Sequence, residues 1–197
     1  MGSRRPGGPE GKRIDGYLFA YGFDFKAAIK AFYAVSGKQP MIPRWALGNW
    51  WSRYHEYDAG EYLALMDRFH KQRVPLSVAM IDMNWHYVHE ERVTGAGWTG
   101  YSWNKRLFPD PKRFCDALHQ RGLKITLNDH PADGVHAFED EYEAMAEVVG
   151  FDTSQKKPMQ FNPTDKKFFD AFFDVLHRRL EDDGVDFWWT DWQQGTF

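Results

Sequence analysis

From Trp45 onward the chain alternates two kinds of segment. Short, nearly continuous apolar runs (45–50, 76–83, 123–127 and 185–190) each pass into polar residues and then into a stretch with helical spacing. Continuous runs of this length, bounded by such stretches, predict strands buried on both faces. The first run ends in Trp51, Ser52 and Arg53, and a helix is expected over 59–72 with Tyr62, Leu65, Met66 and Phe69 on one face. The second ends with Asp82, Asn84 and His86. A long Gly- and Trp-rich loop, 88–110, leads to a helix opening at Pro111 and closing at Gly122, favoured first-turn and C-terminal residues. The third ends in Asn128, Asp129 and His130. An insertion over 137–149 then shows helical spacing in Phe138, Tyr142, Met145 and Val149. A helix over 165–181 is expected to bury Phe168, Phe172, Val175, Leu176 and the stem of Arg179. The fourth run ends in Asp191, Trp192, Gln193 and Gln194. Ahead of the repeat, 17–21 predicts a short aromatic strand and 25–35 a helix that stops at Gly37. Pro40 and Pro43 then mark a rigid crossing.

Strands alternating with helices mean an α/β fold with a parallel sheet, either doubly wound or a (β/α)8 barrel. A doubly wound nucleotide binder usually carries a Gly-rich first turn, whereas here Asn49, Trp50, Trp51 and Ser52 occupy that place. Every strand also puts its polar residues at its C-terminal end, where barrel enzymes hold their chemistry. The expectation is therefore a partial (β/α)8 TIM barrel of about four units. Residues 1–13 are expected to be a flexible leader, 14–40 a short preceding segment and 41–197 the N-terminal half of the barrel. A full barrel has eight strands and about 250 residues. Four strands leave two open parallel edges, which need the remaining part of the barrel or another subunit as partner.

Composition narrows the function. With 28 acidic against 25 basic residues the formal charge is -3, which gives a nucleic-acid partner no electrostatic support. No window approaches the ~20 apolar residues of a membrane span, and 1–13 lacks the apolar core of a secretion signal. A single cysteine, Cys115, allows no internal disulfide and fits a cytoplasmic location. The unusual quantity is aromatic content, 17% with nine Trp. Indoles serve either a large aromatic core or a platform for the C–H faces of a sugar.

Candidate chemistry gathers at the strand ends. Asp191 lies between Trp189 and Trp192, and a carboxylate fixed by a strand and shielded by indoles suits attack on an anomeric carbon. A helix-capping aspartate would look the same. Asp82 ends an apolar run, so it either accepts sugar hydroxyls or pairs with a cation. His86, His89, Glu90 and His130 raise the question of a metal, but the first three do not match the His-Glu-x-x-His spacing of a zinc helix. The loop Gly97–Asn104 interleaves Trp98, Tyr101 and Trp103 with small polar residues, fitting a sugar platform or an aromatic-packed loop.

Several of these segments resemble glycoside hydrolase family 31, the α-glucosidase and α-xylosidase family. Pro43-Arg44-Trp45-Ala46-Leu47-Gly48, followed by Trp51-Ser52-Arg53-Tyr54, is similar to the family's first-strand signature. Val74-Pro75-Leu76 leading to Ile81-Asp82-Met83-Asn84-Trp85 resembles its second. Phe108-Pro109-Asp110-Pro111 resembles its Phe-Pro-Asp-Pro turn, and Trp189-Thr190-Asp191 its Trp-x-Asp nucleophile motif. The resemblance runs from about Gly16 to the last residue.

It implies retaining hydrolysis of α-linked oligosaccharides, most specifically by an α-glucosidase, with Asp191 as nucleophile. Asp82, Trp51, Trp189, Trp85 and His130 would be substrate-binding residues, and no metal or other cofactor is expected. Two departures bear on the sugar and linkage. Trp192-Gln193-Gln194 stand where the family has Met-Asn-Glu, and Asn84 stands where it has a second aspartate. The family's acid/base aspartate lies on a later strand, so the isolated chain is expected to be an incomplete catalytic domain with little turnover. Two rivals remain: a non-catalytic carbohydrate-binding or interaction domain derived from such a barrel, and a barrel hydrolase using His86 and His130 on a metal.

Overall fold

A parallel strand must find its neighbour across a long connection, and here each apolar run pairs with the next one along the chain. The computed structural model of the protein describes residues 16–95 and 97–191, so the leader at 1–13 and the segment Trp192-Gln193-Gln194 lie outside the described residues. The strands are β1 (Trp50–Trp51), β2 (Val78–Ile81), β3 (Lys124–Asp129) and β4 (Phe187–Thr190), in the order β1-β2-β3-β4. All three pairings are parallel: Trp51 lies opposite Ala79, Ile81 opposite Leu127, and Leu127 opposite Trp188. A doubly wound sheet reverses its strand order, whereas a barrel winds in sequence order. Curvature agrees. In a flat sheet β1 and β4 would stand about 14 Å apart, yet the rings of Trp50 and Phe187 meet with centroids 5.4 Å apart. The sheet is curled, and the chain forms part of a (β/α) barrel.

The helices follow local chemistry. Helix α2 (Ala59–Lys71) starts at a reciprocal cap in which Asp58 accepts from the Glu61 amide at 2.8 Å and Glu61 accepts from the Asp58 amide at 3.3 Å. Helix α3 (Pro111–Gln120) has Pro111 in its first turn and Asp110 accepting from the Arg113 amide. Together with β1–β4 they enclose a core that includes Tyr62, Met66, Phe114, Leu118, Ile125 and Leu127. The insertion builds a second core around Val135, Met145, Met159 and Phe168, spanned by α4 (Tyr142–Val149) and α5 (Lys166–Ala171). No helix among the described residues is long and apolar enough to cross a membrane.

Three expectations change. The expected strand at 17–21 does not form: these residues are irregular, and Tyr17 and Leu18 are exposed. Residues Arg44–Leu47 form a 3-10 turn behind Pro43, so β1 begins only at Trp50. The helix expected over 165–181 is interrupted by a π-helical turn, Phe172–His177, between α5 and α6 (Arg178–Asp183). A π turn inserts one residue and rotates the buried face. His177 and Leu180 are buried as a result, while the Arg179 side chain stays 52% exposed.

The chain divides into two compact units, Met1–Ile42 and Pro43–Phe197. In the first, α1 (Phe25–Ser36) is capped by Asp24, which accepts from the Ala27 amide at 3.0 Å, and closes with the Gly37 amide on the Tyr33 carbonyl. None of its residues is buried.

Two buried devices fasten the loops over the barrel. Gly134 has φ +75° and ψ -154°, a region open essentially to glycine alone, and a Cβ there would stand 1.9 Å from the Met159 carbonyl oxygen. Glu139, 5% exposed, accepts from the Tyr101 amide at 3.1 Å and the Ser102 hydroxyl at 2.6 Å. Ser102 accepts in turn from the Asp140 amide. Burial pushes the Glu139 carboxyl from the ordinary 4.5 up to about 7, against the opposing effect of those two hydrogen bonds.

Each device yields a prediction. Gly134→Ala combines a forbidden backbone region with a backbone clash and should cost about 3 kcal/mol in urea unfolding at unchanged slope. A cost below ~1 kcal/mol would show that the loop shifts freely. For Glu139 the folded state holds the proton more tightly than the unfolded chain. Its stabilising contribution is therefore complete below pH 4.5 and lost as pH rises through about 7. The stability of the wild type relative to Glu139→Gln should fall by ~3 kcal/mol across that interval. A difference that stays flat with pH would contradict the burial argument.

Candidate functional site

Successive strand residues point to opposite faces, and paired residues of parallel neighbours share a face. Trp51, Ala79 and Ile125 form one paired row, and Ile81, Leu127 and Trp188 another. Both belong to the helix-side core, since the Trp51 ring packs on Phe69 of α2 at 4.8 Å and the Trp188 indole donates to Glu181 of α6. The intervening positions, Trp50, Met80, Thr126, Asn128, Phe187 and Trp189, therefore face the concave side. One residue past β4, Asp191 stands at the C-terminal mouth of that concavity.

Asp191 is held by its neighbour strand. Its amide donates to the Asp129 carbonyl at 3.0 Å, continuing the β3–β4 ladder. The Asn128 side-chain amide donates to Asp191 Oδ2 at 3.3 Å. His130 Nε2 lies 3.5 Å from the same oxygen. Three consecutive residues of one strand end thus hold Asp191, Asp129 at its backbone amide and Asn128 and His130 beside its carboxylate. The Asp191 side chain is 33% exposed, against 2% for His130, so the carboxylate is within reach of a ligand while the imidazole is enclosed.

Asp82, at the end of β2, completes the cluster. It accepts from the Met83 amide at 2.8 Å and starts the 3-10 turn Met83–Trp85. Burial pushes its carboxyl up from the usual range. The Met83 amide opposes the shift, the negative charge of Asp191 adds to it, and His130 opposes it. Two carboxyls and an imidazole therefore share one electrostatic environment. Trp98, in the loop after β2, meets the His130 ring edge-on at 5.4 Å and is 42% exposed. The next residue, Thr99, donates its hydroxyl to the His130 carbonyl and accepts from the Asp133 amide at 3.3 Å. The arrangement can hold a polar, ring-shaped ligand between carboxylates and an indole and present Asp191 to it.

The sequence-derived candidates divide. Asp82, His130 and Asp191 come together, and Trp189 lies on the concave face beside Asn128, its partner in the β3–β4 register. Trp51 and Trp85 are corrected. Trp51 was expected to line a sugar subsite, but its parity turns it to α2. Trp85 is 1% exposed in the core, and its indole donates to the Asn128 carbonyl at 2.8 Å. It acts one layer behind the cluster, fixing the backbone of a residue that touches Asp191. His86 is also structural: it is 1% exposed under Gly100, and burial depresses its pKa to about 4. Among the described residues no group of three or more His, Cys, Asp or Glu side chains is placed to hold a metal ion. Asn128 and His177 are additions. Asn128 was visible as a polar strand end, whereas His177 lies off the apolar face that a regular helical period predicts and is brought in by the π turn.

Two hollows lie away from this cluster. One, of about 640 Å3 between 149–151 and 159–168, contains Asp165, which is occupied in capping α5. The other, about 400 Å3 at the opposite strand ends, contains Asp67, held by Arg121 through two hydrogen bonds. Neither presents an unengaged carboxylate to a ligand.

Known proteins supply the family. An α-xylosidase of Saccharolobus solfataricus is 26% identical over 183 residues, covering 92% of this chain and 23% of that protein. Alpha-glucosidase 2 of Bacillus thermoamyloliquefaciens is 30% identical over 116 residues, 59% of this chain and 14% of its own length. The chain thus spans a quarter or less of these relatives. Among solved structures, a xylosidase from Aspergillus niger superposes with a TM-score of 0.66 at 18% identity, over 85% of this chain and 24% of that one. A family 31 dextranase of Flavobacterium johnsoniae complexed with glucose gives 0.65 at 21% identity, over 87% and 21%. At such identities these superpositions establish the fold alone. The sequence itself matches the glycosyl hydrolases family 31 TIM-barrel domain over residues 39–196, and the chain belongs to that family of glycoside hydrolases.

Proposed function

We propose that this chain carries the nucleophile of a retaining α-glycosidase acting on α-linked oligosaccharides, with Asp191 as the attacking group. The observation that carries the reading is that Asp129 holds the Asp191 amide while Asn128 and His130 lie against its carboxylate, at the mouth of a curled parallel sheet. A carboxylate oxygen would attack the anomeric carbon as the bond to the leaving oxygen breaks, and a proton would pass to that oxygen from a carboxylic acid. Water would then hydrolyse the glycosyl ester and return the original anomeric configuration. Asp82 would accept sugar hydroxyls, and Trp189 and His130 would bound the subsite. An α-glucoside is the substrate suggested by the sequence motifs, and an α-xyloside is suggested by the name of the relative matched over most of the chain.

Labelling tests Asp191 alone, because a fluoride leaving group departs without a proton. Treatment with 5-fluoro-α-D-glucosyl fluoride, and separately with its α-D-xylosyl counterpart, should give one glycosyl adduct located on Asp191 by peptide mass spectrometry. The reagent that labels faster identifies the sugar. Asp191→Ala should lower the hydrolysis of activated α-glycosides by at least ~10³-fold, with partial recovery in azide and a product of inverted configuration. An adduct on another residue, or full activity in the Asp191→Ala protein, would refute the assignment. Sugar binding with no adduct from either reagent would favour a carbohydrate-binding domain instead.

A further inference from the structure

The residue behind the nucleophile candidate is itself gripped from the helix side. Asp129 lies between Asn128 and His130, and its carbonyl takes the Asp191 amide. Its side chain has the opposite parity, so it points away from the concave face and toward the helices. There it is 4% exposed and meets His177 Nε2 at 3.0 Å, while His177 is 1% exposed. The other ring nitrogen, Nδ1, lies 2.9 Å from the Phe172 carbonyl. A carbonyl only accepts, so Nδ1 carries a hydrogen. A second proton lies between Nε2 and Oδ2, whichever atom holds it. Both ring nitrogens are thus committed, and the ring is wedged between Trp188 at 4.1 Å and Phe172 at 4.4 Å.

The π turn is what brings this ring into place. In an unbroken α-helix the buried face established by Phe168 and Phe172 would continue through Val175 and Arg179. One inserted residue moves His177 onto it instead, directly opposite β3. Such single turns are costly in regular geometry and recur where a side chain must be aimed. A carboxylate at Asp129 with no partner would be strongly penalised at this burial. The pair therefore resists rotation of the Asp129 peptide, the unit that holds the Asp191 amide.

We propose that Asp129 and His177 form a positioning pair that fixes the end of β3 and, through it, the Asp191 carboxylate. The role of Asp191 rests on the glycosidase reading, but the pair's hold on the Asp191 backbone does not. His177→Phe keeps the aromatic packing and removes the hydrogen bond. Asp129→Asn keeps the bond, because its side-chain amide can donate to Nε2 while Nδ1 still donates to Phe172. In the wild type, NMR should show a slowly exchanging Nδ1 proton on His177 and a protected Asp191 amide. His177→Phe should lose the protection at Asp191 and slow glycosyl-fluoride labelling by ~10²-fold, the scale of a small misplacement. Asp129→Asn should keep both within ~3-fold, a rescue that general destabilisation would not produce. If His177→Phe fails to fold, the double variant H177F/D129N leaves no unpaired charge and still lacks the bond, so it must show the same two losses. Unchanged Asp191 protection and labelling in a folded His177→Phe or double variant would overturn the proposal. Lost protection at Asp191 with no labelling of the wild type by any glycosyl fluoride would uphold the pair and reject the glycosidase reading.

Discussion

The register between β3 and β4 is the constraint on which the rest depends. Asp129 pairs with Thr190, and the ladder runs one step further through the Asp191 amide. That one register puts Asn128 and Trp189 on the concave face, sends Asp129 and Trp188 to the helices, and delivers Asp191 to the mouth beside His130. A slip of one residue would exchange every one of these sides. The register is secured from behind, because Leu127 and Trp188 are packed into the helix-side core and cannot turn inward without opening it.

This division explains how the polar groups are accommodated. On the helix side, His177 meets Asp129 and Glu181 accepts from the Trp188 indole, while the buried Trp51 indole nitrogen makes no hydrogen bond among the described residues. On the concave side the buried Thr126 hydroxyl, the Asn128 side-chain oxygen Oδ1 and both His130 nitrogens make no hydrogen bond among the described residues. Orphaned polar atoms cost free energy, and a fold keeps them where something else supplies the missing bond. Ligand hydroxyls, water or further chain would each serve. Most of these orphaned strand-end atoms lie on the side on which the carboxyls converge.

Much of this was legible in the sequence, for identifiable reasons. Polar residues terminating apolar runs located the mouth of the sheet, the helical spacing of Tyr62, Leu65, Met66 and Phe69 placed α2, and Pro111 placed the start of α3. Parity was not legible. A strand buried on both faces carries no polar alternation, so nothing in Trp50-Trp51 tells which indole meets the helices. The 3-10 turn behind Pro43 delays the strand, and Trp51 falls on the core side. Trp85 was misassigned for a related reason, since adjacency to Asp82 in sequence says little about direction after a tight turn. His177 escaped because a regular 3.6-residue period assigns it to solvent, and only the π turn carries it inward.

The loops then bear on how finely the site can discriminate. Trp98 sits beside His130, on a loop that the buried Tyr101, Trp103, Leu107 and Phe108 anchor further along; nearer the indole the hold is polar. Its position comes from a chain of polar contacts: Thr99 to the His130 carbonyl, the Tyr101 amide and Ser102 hydroxyl to Glu139, and the Asp140 amide to Ser102. Polar networks fully enclosed in low dielectric define geometry sharply, because a shifted member loses its bond without gaining water. An indole placed this way is set to a fixed distance from the carboxylates. The strand ends thus supply the carboxyls, and the clamped loop sets where the indole stands against them.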